Sequence, residues 1–165
     1  MKTEKKKEIQ DEAINLIFDI DGTLLSDKTG KIPDSALEAL AEAKKNGHLL
    51  FINTGRTVCA LPKELYQFEF DGYLCGCGSY LLFHEEVLLE SHIEEACGQK
   101  YIEQMRECGL DGVLEGTEDL YFPKKVSRFE KLEQGRHYFG QLGLGKKKYI
   151  EEGGFLYDKI FCVCR

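Results

Sequence analysis

The sequence predicts an α/β fold: a short, mostly buried sheet begun by parallel strands, followed by a smaller α+β module. Three observations carry this. Residues 14–54 read strand, helix, strand, the order of a βαβ unit. Residues 72–90 then hold three short strand-like runs with tight connections. From His92 the texture changes to two amphipathic helices interleaved with short strands.

Each element has its own warrant. "INLIFDI" (14–20) is largely apolar and β-branched at Ile14, Ile17 and Ile20, so it predicts a buried strand. A loop with a "KTGK" turn (28–31) follows. "PDSALEALAEAKKNG" (33–47) places Leu37, Leu40 and Ala41 on one helical face; Pro33 with Asp34 or Ser35 marks its start and Gly47 its stop. "HLLFINT" (48–54) predicts the second parallel strand. A shorter helix is expected over about 57–67, with Pro62 tolerable only near a first turn. Short strands follow at 72–76, 80–84 and 86–90. In the second half the pattern predicts helices over 93–108 and 127–142 and strands at 112–116, 119–122 and 156–164. The division is therefore a lysine-rich lead-in (1–13), a core (14–84) and an α+β module (85–165), with the boundary near 84–92.

Composition narrows the partners. The 165-residue chain carries a net charge of -7, which argues against nucleic acid or an anionic membrane as the main partner. No apolar run approaches the ~18 residues of a membrane span, and the charged start lacks the apolar segment of a signal peptide. Seven cysteines, an odd number, predict reduced thiols and a cytoplasmic location.

The chemistry concentrates in "LIFDIDGTLL" (16–25). Strand alternation would point Asp19 and Asp21 to one side, ~6.5–7 Å apart at Cα, and Ile20 into the core. Gly22 would let the backbone turn and approach a ligand. Two carboxylates so close repel unless a positive group joins them, and a hard divalent cation such as Mg²⁺ satisfies that. A calcium loop fails, because its sixth position would be Leu24 and its twelfth Gly30. "INTGRT" (52–57) ends the second strand, where ligands of open parallel sheets collect. The Thr54 hydroxyl, the Gly55 N–H and an expected helix N-terminus suit a phosphate.

With those residues in view, "DIDGTLL" and "NTGR" resemble the first and second motifs of the haloacid dehalogenase-like phosphatases, and "KIPDSALEALAEAKKNGHLLFINTGR" is most similar to their Cof-type sugar-phosphatase branch. The resemblance implies the N-terminal half of a Rossmann-like core and part of an α+β cap. It further implies a Mg²⁺-dependent phosphomonoester hydrolase acting on small phosphorylated metabolites, sugar phosphates foremost. Asp19 would be the nucleophile of an aspartyl-phosphate and a metal ligand. Asp21 would be the acid/base and offer its carbonyl to the metal. Gly22, Thr23, Thr54, Gly55 and Arg56 would bind the phosphoryl group. Two later family motifs, a lysine and a Gly-Asp-rich segment, are not found before Arg165, so the resemblance implies a piece of a longer phosphatase, weak or inactive by itself. Lys159, in "YDKIFC", is set aside as a substitute because it falls in an expected cap strand. A phosphotransferase or mutase with the same intermediate fits both motifs equally. A non-catalytic phosphate-binding protein is the alternative of another class, and retention of both aspartates argues against it. The C-x-C pairs Cys75/Cys77 and Cys162/Cys164 are expected as small core hydrophobes rather than a zinc site. The histidines share no spacing and receive no role.

Overall fold

The computed structural model describes residues 13–164; the expectation of a solvated lead-in therefore lies almost wholly outside the described residues. The first half contains β1 (Asn15–Phe18), α1 (Asp34–Lys45), β2 (Leu49–Asn53), β3 (Gly72–Cys75), β4 (Tyr80–Phe83) and β5 (Glu86–Glu90). The five strands form one sheet in chain order, with β1–β2 and β2–β3 parallel and the two later pairings antiparallel. The second half contains α2 (Glu95–Glu107), β6 (Asp111–Glu115), β7 (Leu120–Tyr121), α3 (Glu130–Gln141) and β8 (Lys159–Val163), with an antiparallel sheet in the order β7-β6-β8. The expected α/β architecture is present. The change from one sheet to the other falls after Glu90, since β5 hydrogen-bonds to β4.

The apolar pattern explains both halves. Ile20, Leu50, Ile52, Leu65 and Leu40 of α1 form the core beneath the first sheet. Each fully buried aliphatic side chain there contributes about 1.5–3 kcal/mol. α1 stops where Gly47 takes a φ of 87°, the left-handed step that closes a helix and that glycine adopts without a Cβ penalty. Asp71, almost fully buried, accepts a hydrogen bond from the Leu50 N–H at 2.8 Å and pairs with Lys44 at 3.5 Å. It ties the approach to β3 to both β2 and α1.

The second sheet is covered on both faces, as strand alternation in β6 requires. Leu114 packs in a cluster with Ile102 of α2. Its neighbour Val113 packs in another with Leu132 of α3.

Several elements differ from the sequence reading. β1 ends at Phe18, two residues early, and is not the buried strand expected: Ile14 and Ile17 are exposed, whereas Ile20, fully buried, enters a turn. In place of one helix over 57–67 there are two 3-10 turns, Val58–Ala60 and Lys63–Gln67. Between them Leu61 and Pro62 are extended, because a proline ring crowds the preceding residue out of helical conformation. The last strand begins at Lys159, not at 156. Of the four C-x-C cysteines only Cys75 is buried; Cys77, Cys162 and Cys164 are exposed, and Cys77 lies in a turn with a φ of 60°. None of the seven cysteines is in a disulfide. No helix among the described residues is long and apolar enough to cross a membrane.

Candidate phosphoryl site at the ends of the parallel strands

Parallel pairing of Phe18 with Ile52 makes β1 and β2 end at the same level. Asp19 follows the first strand and Thr54 the end of the second, so the two motifs are brought side by side.

The chain from Ile20 to Leu25 folds into a tight loop. The N–H groups of Thr23 and Leu25 both donate to the Ile20 carbonyl, at 3.3 and 2.9 Å. Gly22 has a φ of 73°, a conformation that suits glycine. Ile20, Leu24 and Leu25 are buried while Asp21, Gly22 and Thr23 are exposed. The position of Asp21 is thus set by this loop and not by strand alternation.

Thr54 is buried, and its hydroxyl oxygen accepts the Arg56 N–H at 3.2 Å. The Arg56 carbonyl accepts from the Gly76 N–H at 2.7 Å, and the Thr54 N–H donates to the Leu74 carbonyl at 2.9 Å. The 54–56 loop is therefore strapped to β3 and the turn beyond it. The short 3-10 turn after Thr57 is not the helix expected there, so no helix N-terminus backs the loop; the donors it has to offer are the Thr54 hydroxyl and the Gly55 N–H.

Arg56 is the positive group beside the aspartates. Its Nε and Nη2 donate to Asp21 Oδ2 and Oδ1 at 2.9 and 2.8 Å, and Nη1 donates to the Ala60 carbonyl at 3.2 Å. This two-point bond holds the Asp21 carboxyl below its ordinary range and, in return, raises the Arg56 guanidinium. The mutual repulsion expected of Asp19 and Asp21 is met, at Asp21, by a side chain. Asp19 is exposed and its carboxylate has no side-chain hydrogen bond among the described residues. Asp21, Gly22 and Arg56 line a crevice of about 390 Å³, which Tyr138 of α3 enters from the second module. A larger cavity of about 510 Å³, around Arg106 and Arg128, includes none of the seven candidate residues.

One further side chain that the sequence reading left unassigned reaches this place. Lys159, the first residue of β8, donates from Nζ to the Gly55 carbonyl at 2.7 Å and pairs with Glu115 at 3.2 Å. The Cys59 thiol donates to the Gly116 carbonyl at 3.2 Å. Burial pushes that thiol up to about 11. No sequence spacing announces the Lys159 contact, which spans 104 positions. The alternation within β8 does place Lys159 opposite Glu115 once the register is known.

A level pair of parallel strand ends, with carboxylates after one and a Thr-Gly-Arg turn after the other, belongs to the class of α/β proteins that collect ligands beyond the carboxyl ends of their parallel strands. Residues 16–162 match the family model of the haloacid dehalogenase-like hydrolases, and the chain belongs to that family. It is 27% identical over 143 residues to YkrA of Bacillus subtilis (strain 168), which is provisionally named a phosphatase, covering 87% of this chain and 52% of that protein. It is 37% identical over 102 residues to the pyridoxal phosphate phosphatase YbhA of Escherichia coli (strain K12), covering 60% of this chain and 37% of the relative. Among solved structures, BT4131, described as a subclass IIB sugar phosphatase, superposes with a TM-score of 0.68 at 27% identity, over 85% of this chain and 54% of its own. BT1666 of Bacteroides thetaiotaomicron shares the fold, with a TM-score of 0.68 at 23% identity, over 88% of this chain and 52% of its own. The chain spans about half the length of most of these relatives, and less of YbhA.

Proposed function

We propose that this chain carries the nucleophile half of a phosphomonoester phosphatase acting on small phosphorylated metabolites, sugar phosphates among them, through an aspartyl-phosphate. The observation that supports it most is the level ending of β1 and β2, which sets Asp19 beside Thr54 and Gly55 while Arg56 reaches back to Asp21.

In this reading an Asp19 carboxylate oxygen bonds to phosphorus as the ester P–O bond breaks, and the leaving alkoxide takes a proton from Asp21. Water then attacks phosphorus and gives its proton to Asp21. The P–O bond to Asp19 breaks, and inorganic phosphate leaves. The hydroxyls of Thr54 and Thr23 and the N–H groups of Gly55 and Gly22 hold the phosphoryl oxygens. The Arg56 bond keeps Asp21 ionised, the state needed to accept a proton from water. It works against donation to the leaving group, so esters with acidic leaving groups are favoured.

The donor set fits a hard cation in part. The Asp19 carboxylate and the Asp21 carbonyl are oxygen donors of the kind Mg²⁺ takes. Among the described residues no group of three or more acidic, histidine or cysteine side chains is gathered as a metal site, so other ligands would be water and the phosphoryl group. Bound there, Mg²⁺ would neutralise phosphoryl charge. With this partial shell, turnover by the chain alone is weak. We further place its work in the reducing cytoplasm, with no nucleic-acid or membrane partner.

Beryllofluoride, a mimic of the aspartyl-phosphate, tests the reading. With MgCl₂ present, the parent chain should show a bound ¹⁹F signal that Asp19→Asn abolishes. A signal that survives this substitution, or none in the parent, would remove Asp19 as the nucleophile. Robust turnover of p-nitrophenyl phosphate by the parent would contradict the expected weakness.

A further inference from the structure

We propose that Lys159, delivered from the second sheet, is a phosphate-binding residue of this site, with Glu115 as the carboxylate that holds it in reserve; this rests on the phosphoryl site proposed above.

The placement is specific. Glu115 ends β6, Lys159 begins β8, and the two are direct cross-strand partners, so their side chains stand on one face of the sheet. Lys159 then leaves its own module and bonds to the carbonyl of Gly55, within the candidate phosphate loop, at 2.7 Å. The Gly55 N–H belongs to the same residue, a few ångströms from its carbonyl by backbone geometry. An ammonium on that carbonyl is therefore close enough for a short side-chain movement to bring it onto a phosphoryl oxygen.

The ammonium has capacity to spare. It carries three donors, and its named partners are the Gly55 carbonyl and Glu115 Oε2. One N–H remains for a ligand. Glu115 holds the ammonium at 3.2 Å, and burial drives its carboxyl above the usual range against the pull of Lys159 and Arg56. The pair is also a poor choice for stability alone. Its side chains are only 24% and 14% exposed, and buried ion pairs rarely stabilise a fold better than apolar residues of like size. The surroundings supply the need. Asp19 and Asp21 place negative charge where an anion must bind, and Arg56 is already committed to Asp21.

Calorimetric titration of the full chain with inorganic phosphate, MgCl₂ present, separates a ligand role from a structural latch. Removing the ammonium in Lys159→Met should weaken phosphate binding about tenfold or more, the scale of a charge-assisted hydrogen bond, and Lys159→Arg should retain most of it. Glu115→Gln should tighten binding, because it releases the ammonium to the ligand. Thermal melts of each variant report whether the fold is kept. If Lys159→Met and Glu115→Gln shift affinity in the same direction, the pair is a latch and the proposal falls. It falls also if Lys159→Met binds phosphate like the parent while Thr54→Ala does not, an outcome that leaves the site itself standing. Failure of the parent to bind phosphate removes both the site and Lys159's part in it.

Discussion

The Arg56–Asp21 pair yields a prediction whose size follows from its geometry. Consider Arg56→Met and Asp21→Asn, singly and together. The bond is two-pointed at 2.8 and 2.9 Å, but the Asp21 side chain is 58% exposed and that of Arg56 25%. Solvent screening of so open a carboxylate limits the pair to the upper end of exposed ion pairs, about 1 kcal/mol. That corresponds to about 2–4 °C in Tm for a chain of this size. Because pairing lowers the Asp21 carboxyl in the folded chain, the stabilisation is complete above the unfolded carboxyl value, about 3.9. It is lost as pH falls through the depressed folded value. The double-mutant cycle isolates this pair from the bond of Arg56 to the Ala60 carbonyl, which does not titrate. Urea unfolding at about pH 7 should give a coupling of about 1 kcal/mol that shrinks towards zero at about pH 2 and falls in high salt. A coupling that is absent at neutral pH, or unchanged in acid, refutes the reasoning.

Two further outcomes test the packing and the thiols. A Cβ at Gly72 would lie 2.6 Å from the Phe51 ring and 2.7 Å from the Leu82 carbonyl, so Gly72→Ala should cost about 1–3 kcal/mol in urea denaturation; a neutral result would mean that β2 and β4 give way more easily than their packing implies. The Cys59 and Cys75 thiols are pushed up to about 11 by burial, leaving roughly one thiolate per thousand at pH 8. Iodoacetamide at that pH should label exposed Cys97 and Cys108 first, and peptide mapping that finds Cys59 labelled as fast would overturn the assignment.

What could be read from the sequence was local. The β1–α1–β2 unit followed from apolar runs and from a helix stopped at Gly47, all within neighbouring residues. The same reading brought Asp19 and Asp21 to a strand end beside Thr54, Gly55 and Arg56. It erred where neighbours compete. Pro62 broke an amphipathic pattern into 3-10 turns, and the Ile20–Leu25 loop ended the strand at Phe18 while still burying Ile20. Exposed Cys162 shows that an apolar residue type in a strand need not face a core. Arg56 was legible as a candidate, yet its grip on Asp21 was not, because two side chains 35 positions apart meet only through sheet register. Lys159 was farther still from legibility. Its placement depends on how the second sheet rests against the first, and no run of residues encodes that.

The Ile20–Leu25 loop also bears on the entropy of any association. Its two ends are sunk in the core through Ile20, Leu24 and Leu25, and only Asp21, Gly22 and Thr23 stand in solvent. The backbone of those three residues has already lost its freedom in the folded chain, before a ligand arrives. Binding there would immobilise side-chain torsions and little else. The entropic cost is that of a few rotamers rather than of a mobile segment. Affinity at this mouth should then track the chemistry of the groups presented, with little contribution from disorder in the loop that presents them.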